Sequence, residues 1–136
     1  MTFLLLVHAF ATLCMVGLIW FVQLVHYPLF ARVGSGFDRY EADHVRRTGW
    51  IVGPLMLAEV ATALLLLAWS PGAATAAGAA LLAIVWTSTA CLQMPAHRRL
   101  ERGFDAAAHG KLVATNWLRT AAWTARGALA LGMLLP

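Results

Sequence analysis

The chain has 136 residues, of which 61% are hydrophobic and 12% are charged, and its mean hydropathy is +0.73. These values exclude an ordinary soluble domain of this length and predict a membrane protein. Ten Lys and Arg against six Asp and Glu make the chain basic, with a net charge of +4. Most of these cations cluster in two stretches between apolar segments, which is typical of membrane topology and not of a nucleic-acid-binding surface. We therefore expect no nucleic-acid partner.

Four apolar segments are predicted to be transmembrane helices, at about residues 3–30, 48–69, 73–95 and 110–135. Each is long enough to cross about 30 Å of hydrocarbon. Only Ser70, Pro71 and Gly72 separate the second segment from the third, so these two helices must form an antiparallel hairpin. The sequence thus predicts an all-α fold, a polytopic membrane four-helix bundle that forms a single transmembrane domain.

The basic residues predict the orientation of this bundle. They fall between the first and second segments and between the third and fourth, whereas the Ser70 turn and both termini carry none. The first stretch contains Arg32, Arg39, Arg46 and Arg47, and the second contains Arg98, Arg99, Arg102 and Lys111. Cytoplasmic loops carry an excess of Lys and Arg. We therefore expect a multi-pass protein of the bacterial inner membrane with both long loops in the cytoplasm and both termini outside.

A short internal repeat relates the two halves of the chain. The tripeptide Gly-Phe-Asp occurs at residues 36–38 and 103–105, and each copy is followed at the same spacing by a Thr and a Trp, at 48 and 50 and at 115 and 117. The repeat predicts two helical hairpins related by a pseudo-twofold axis along the membrane normal. Alternatively, both copies are helix ends that turn residues and interfacial tryptophans would mark in any case.

Polar residues interrupt the last apolar segment on one helical face. Asn116, Arg119 and Arg126 share that face, which must point inward because an Arg at mid-membrane costs about 2.5 to 3.5 kcal/mol on insertion scales. Glu59 of the second segment lies at a depth between the two arginines. We expect its carboxylate to pair with Arg119 and with Arg126. Such a pairing could fix helix register only, or it could take part in substrate or proton handling.

Four of the five histidines are predicted to gather at the cytoplasmic end: His26, His44, His97 and His109. Imidazole suits Zn, Cu, Fe and haem iron, and the nearby acidic residues could bind a metal or orient a histidine: Asp38, Glu41, Asp43 and Asp105. These histidines therefore predict a transition-metal or haem site. The alternative is that each one caps a helix end or reaches the membrane interface.

Several short motifs carry a resemblance to known families. With His26-Tyr27-Pro28, the Gly-Phe-Asp elements, Gln93-Met94-Pro95 and Asn116-Trp117-Leu118-Arg119-Thr120, the chain resembles an uncharacterised family of small bacterial four-helix membrane proteins over nearly its whole length. More distantly it is similar to the anthrone-oxygenase-like membrane family. This chain has His97 and Leu100 after Pro95 where that family has a Pro-Asn pair, and it lacks the Trp-x-x-x-His element of the family's fourth helix. The resemblance implies the same topology and site residues at His97, Asn116 and Arg119.

These features lead to two function hypotheses. The first is a small metal- or haem-dependent oxidoreductase or oxygenase that acts on a lipophilic aromatic or quinone-like molecule. In it the histidines bind the cofactor or carry protons, Asn116 and Arg119 hold a substrate oxygen, and Glu59 positions Arg119. The second is a non-catalytic accessory or assembly subunit of a larger membrane complex. Expected partners are the lipid bilayer, a lipophilic small molecule, and either further copies of the chain or a larger complex. A transporter or channel component would require dimerisation to form a pathway.

Overall fold

The computed structural model describes residues 1–135 and contains four helices. They are α1 (Thr2–Arg32), α2 (Phe37–Trp69), α3 (Ala73–Leu100) and α4 (Ala106–Gly132), and no residue in this described range forms a strand. Helix α1 packs against α2 and α4, and α3 packs against α4 and α2, so the four helices close into a ring. The predicted all-α four-helix architecture is confirmed.

Helices α1, α2 and α3 are each long and apolar enough to cross a membrane. Their outer faces expose large apolar side chains, including Phe3, Phe10 and Leu57, as expected for surfaces that contact lipid and not water. Helix α4 is 27 residues long, but its centre carries Asn116 and two arginines and is less apolar for that reason. The structure thus indicates a membrane protein.

The helices extend further than the sequence predicts at the end of the bundle that carries the α1–α2 and α3–α4 connections, called here the basic end. Helix α2 begins at Phe37 and not at residue 48, because after Gly36 no proline or glycine interrupts the chain before Gly49. Helices α1 and α3 continue to Arg32 and Leu100. The prediction of a long loop after residue 30 was wrong, and most of its charged residues lie on a helix.

A π-helical turn precedes a proline in both α1 and α3. The turns are Val22–His26 and Thr89–Gln93, and Pro28 and Pro95 follow them. Proline has no N–H to donate to the preceding turn of an α-helix, and a π turn changes the hydrogen-bond spacing at such a point. The two helices therefore continue past their prolines, and His97 is carried on the last helical turns of α3.

The two Gly-Phe-Asp copies meet at the basic end. Gly36 and Gly103 both have positive φ, at 83° and 125°, a conformation that glycine adopts without a steric penalty. Each glycine is followed within a few residues by the start of a helix, α2 or α4. The rings of Phe37 and Phe104 pack edge to face with centroids 5.2 Å apart. This contact ties the two connections together and closes the bundle at that end.

Candidate metal site and adjoining cavity

Three side chains at the basic end lie close enough to hold one metal ion. They are Glu41 and His44 on α2 and His97 on α3, and one potential ligand atom from each lies within 4.8 Å of the others. Glu41 and His44 share one face of α2 because they are three residues apart, and the helical continuation after Pro95 brings His97 opposite them. The group depends on the part of α2 that the sequence analysis assigned to a loop.

Neighbouring side chains hold both histidine rings in place. A hydrogen bond of 2.8 Å joins His44 Nδ1 to His26 Nε2, and Thr48 Oγ1 lies 3.1 Å from the same Nδ1. His97 Nε2 is 2.9 Å from the hydroxyl of Tyr27, and its Nδ1 contacts Glu41 Oε1. Rings whose second nitrogen is hydrogen-bonded have a fixed orientation, as is usual for histidines that bind metals.

His26 and His44, which the sequence analysis assigned to the site, are therefore in contact with each other, but only His44 belongs to the three-residue group. His109 does not join it. Its Nε2 donates to the backbone carbonyl of Tyr27 at 2.7 Å, and its ring lies beside Phe30 and Phe104. His109 thus ties α4 to α1 and does not face the group, because its ring is held between the Tyr27 carbonyl and the rings of Phe30 and Phe104.

Tyr27 is a site residue that the sequence analysis did not identify. It is buried, at 4% exposed, and its hydroxyl binds His97 while its carbonyl binds His109. One signal in the sequence could have found it. The chain has only two tyrosines, Tyr27 and Tyr40, and both belong to the stretches that carry His26 and His44.

The acidic residues near these histidines have distinct contacts. Glu41 is fully buried beside His97, whereas Asp43 pairs with Arg46 at the surface. Asp105 pairs with Arg99 and accepts a hydrogen bond from the Ala108 N–H, which caps α4. Asp38 lies exposed in the first turn of α2. Of these four candidate ligands, only Glu41 lies in the site.

Within the described part of the chain, three buried side-chain polar atoms have no hydrogen-bond partner: Thr12 Oγ1, Glu41 Oε2 and Arg119 Nε. A buried group of this kind normally finds a partner, since leaving it unpaired costs about 1 to 3 kcal/mol, and more if it is charged. Two of the three belong to Glu41 of the metal-ligating group and to Arg119, which lines the adjoining cavity. The unpaired atoms are thus concentrated at the candidate site.

A cavity of about 210 Å³ adjoins the group. Tyr27, His44, His97 and Arg119 contribute its polar lining together with Thr48, Thr89 and Gln93, and the rest of its wall is apolar. It lies between α2 and α3 and reaches inward to α1 and α4. A molecule in this cavity would therefore contact both the metal-ligating histidines and the guanidinium of Arg119.

A chain of hydrogen bonds holds Arg119 beneath the cavity. Asn116 Nδ2 donates to Gln23 Oε1 at 2.9 Å, and Arg119 Nη1 donates to Asn116 Oδ1 at 3.3 Å. The guanidinium also lies over the ring of Trp123, 5.0 Å from its centroid, in a cation–π contact. Gln23, Asn116 and Trp123 are all buried, and none of them supplies a negative charge to Arg119.

Glu59 pairs with Arg126 and not with Arg119. Its Oε1 accepts from Arg126 Nη2 at 3.1 Å and from Nε at 3.3 Å, and its Oε2 accepts from Trp123 Nε1 at 3.0 Å. Depth along the helices was compatible with either arginine, but the Trp123 side chain lies between Glu59 and Arg119. Glu59 therefore acts on Arg119 only indirectly, by orienting the indole over which Arg119 lies.

Comparisons of the chain with protein-family models, with curated proteins and with solved structures find no match in any of the three.

Proposed function

We propose that this protein is a membrane oxidoreductase or oxygenase that binds one transition-metal ion at Glu41, His44 and His97 and acts on a lipophilic aromatic or quinone-like molecule. One observation carries the proposal. Glu41 is fully buried with an unpaired carboxylate oxygen, next to two imidazoles whose orientation is fixed. A bound cation would supply the missing partner for that oxygen.

The donor set fits such an ion. Two histidines and one carboxylate are the ligands of non-haem Fe(II) oxygenases and also of some zinc enzymes. Iron or copper held there would supply one-electron redox chemistry. The protein's own residues would do the rest. His26 and Thr48 orient His44, and Tyr27 orients His97. Arg119 offers hydrogen-bond donors to an oxygen of the bound molecule, and Asn116, which does not line the cavity, orients Arg119 instead of contacting the substrate.

A single ion fits this site better than haem. His26 and His44 are hydrogen-bonded ring to ring at 2.8 Å, so no porphyrin can lie between them. A single ion could replace the contact between His97 Nδ1 and Glu41 Oε1, while Tyr27 keeps the other ring nitrogen.

The membrane arrangement forms part of the proposal. Helix α4 crosses the bilayer with the other three, because Asn116, Arg119 and Arg126 face the interior. The basic end lies in the cytoplasm and both termini lie outside, in a bacterial inner membrane.

Helices α1–α2 and α3–α4 form two hairpins related by a pseudo-twofold axis. The paired π turns before Pro28 and Pro95 support that relation, as do the two positive-φ glycines. Membership of the small four-helix membrane family, with its distant likeness to anthrone oxygenases, remains part of the same proposal.

Metal analysis of the purified protein tests the central point. After loading with Fe(II), Cu(II), Zn(II) or Mn(II) and removal of free metal, we expect about one ion per chain for one of these metals. The variants Glu41→Gln and His44→Ala should lose it, while His109→Gln should keep it because His109 lies outside the group. An absence of bound metal in the loaded wild type, or equal retention by Glu41→Gln, would contradict the proposal.

A second function, an accessory or assembly subunit of a larger membrane complex, is favoured by a different observation. The layer formed by Glu59, Trp123 and Arg126 is fully paired within the chain, as expected for residues that only lock a bundle together. Mild-detergent purification from the native membrane distinguishes the two. Stoichiometric recovery with a larger complex, together with no bound metal, would favour the accessory subunit.

A further inference from the structure

The cavity beside the metal-ligating group opens to the outer surface of the bundle, between α2 and α3. Its lining includes Val45 and Gly49 on α2 and Met94 on α3, all of them exposed on the outer surface of the bundle. These residues belong to the two spanning helices Phe37–Trp69 and Ala73–Leu100. With α2 and α3 in the bilayer, this opening gives a dissolved molecule a sideways route to the cavity.

The volume of the cavity limits what can enter. A dry protein cavity of 150 Å³ accommodates benzene, so about 210 Å³ accommodates one substituted six-membered ring. Fused three-ring systems exceed this volume. A long tail on the ring does not need to fit, since it can leave through the opening between α2 and α3.

The polar lining indicates which group the ring carries. Arg119 is only 7% exposed, and its Nε has no hydrogen-bond partner. Glu59, the carboxylate predicted to pair with it, pairs with Arg126 instead. The guanidinium of Arg119 lines the cavity, and an oxygen with full or partial negative charge is the strongest acceptor for its N–H groups. A phenol, a phenolate or a quinone carbonyl provides that oxygen on a single ring.

We infer that the molecule bound here is a one-ring phenol or quinone with a hydrocarbon tail. Its ring oxygen accepts from the guanidinium of Arg119, and its tail passes between α2 and α3 into the bilayer. This inference rests on the proposed function, because it names the class of that function's substrate. Binding of the ring needs only the cavity and Arg119, so it can be measured with the metal removed.

The test uses chelator-treated protein in phospholipid nanodiscs and saturation binding of radiolabelled 4-nonylphenol, with empty nanodiscs subtracted. We expect saturable binding at one site per chain. Decanol, which has no ring, and an alkyl anthraquinone, which has three, should not displace the label. Arg119→Lys keeps the charge but loses the planar set of guanidinium donors, and it should weaken binding about ten- to hundredfold.

Two glycine variants provide a matched pair that leaves Arg119 untouched. Gly49 lines the opening, and a Cβ built there meets no atom within 4 Å, so Gly49→Leu should fold and fill the cavity mouth. Gly53, one turn along α2, has the same free space but does not line the cavity. We expect Gly49→Leu to abolish binding and Gly53→Leu to leave it unchanged.

The outcomes separate the two proposals. Saturable binding that Gly49→Leu removes would support this inference even if the metal analysis failed. No saturable binding by the wild type, equal binding by Gly49→Leu, or equal displacement by decanol or the anthraquinone would overturn it while leaving the metal site untouched.

Discussion

Removal of the Glu59 carboxylate should strongly destabilise the bundle. In Glu59→Leu, Arg126 keeps its charge at 1% exposure with no acid to pair with, which costs about 3 to 5 kcal/mol. Trp123 Nε1 also loses its acceptor, which adds about 1 to 3 kcal/mol. We therefore expect a loss of about 4 to 8 kcal/mol in the free energy of unfolding.

A second substitution at Arg126 should recover part of that loss. In Glu59→Leu with Arg126→Met no buried charge remains, and only the Trp123 N–H lacks its partner. Replacing a buried ion pair by apolar side chains is often neutral or stabilising, so the double variant should regain about 3 to 5 kcal/mol. The control is Glu59→Leu with Arg119→Met, which should regain nothing because Arg119 is not the partner of Glu59.

Equilibrium unfolding in mixed dodecyl maltoside and SDS micelles, followed by far-UV circular dichroism, measures these differences. The two double variants form a double-mutant comparison on the same background. Recovery with Arg119→Met and not with Arg126→Met would refute the pairing seen in the structure. A Glu59→Leu variant within about 1 kcal/mol of the wild type would refute the cost of buried charge on which the estimate rests.

Two further outcomes follow from the contacts of α4. Gly127 packs so closely on α1 that an added Cβ would lie 2.9 Å from Val16 Cγ2, so Gly127→Val should lose about 1 to 3 kcal/mol in the same unfolding assay. Gly110→Val on the same helix has free space and should change stability little by comparison. The N-cap hydrogen bond from the Ala108 N–H, together with Arg99, lowers the pKa of Asp105. A carboxylate with a lower pKa in the folded state than in the unfolded state stabilises the fold at pH values above the unfolded-state pKa. This stabilisation is lost as the pH falls through the folded-state pKa. The melting temperature of Asp105→Ala should therefore lie below that of the wild type at neutral pH, and the difference should vanish in acid.

Much of the fold could be predicted from the apolar pattern and the breaks in it. The tight turn at residues 70–72 separates α2 from α3 as expected. The inward face of α4 was also predictable, since Asn116, Arg119 and Arg126 recur at helical spacing and all three are buried. Helix ends were not predictable from the prolines. The π turns before Pro28 and Pro95 accommodate the missing proline N–H, so both helices continue past their prolines. The local sequence predicts such turns only weakly.

The candidate site was predictable only in part. The gathering of His26, His44 and His97 at one end followed from topology, and Glu41 was one of four acidic candidates. Which acid is buried depended on α2 starting at Phe37, since that start decides which residues of 37–47 face inward. Position along a helix could not decide the partner of Glu59, because depth alone does not specify which arginine faces it across the bundle.

Composition and periodicity by themselves indicated a helical membrane protein with a polar interior. The reason is that burial of apolar surface and the cost of charge in lipid depend on each residue's own side chain, which the sequence gives directly. The tertiary structure alone decided which polar groups meet. Glu59 pairs with Arg126, Trp123 lies between Glu59 and Arg119, and Arg119 lines the cavity beside His97 with its Nε unpaired. Hydrogen bonds and ion pairs require contact within about 3 Å. Such contacts depend on the rotation and tilt of packed helices, which no single helix encodes.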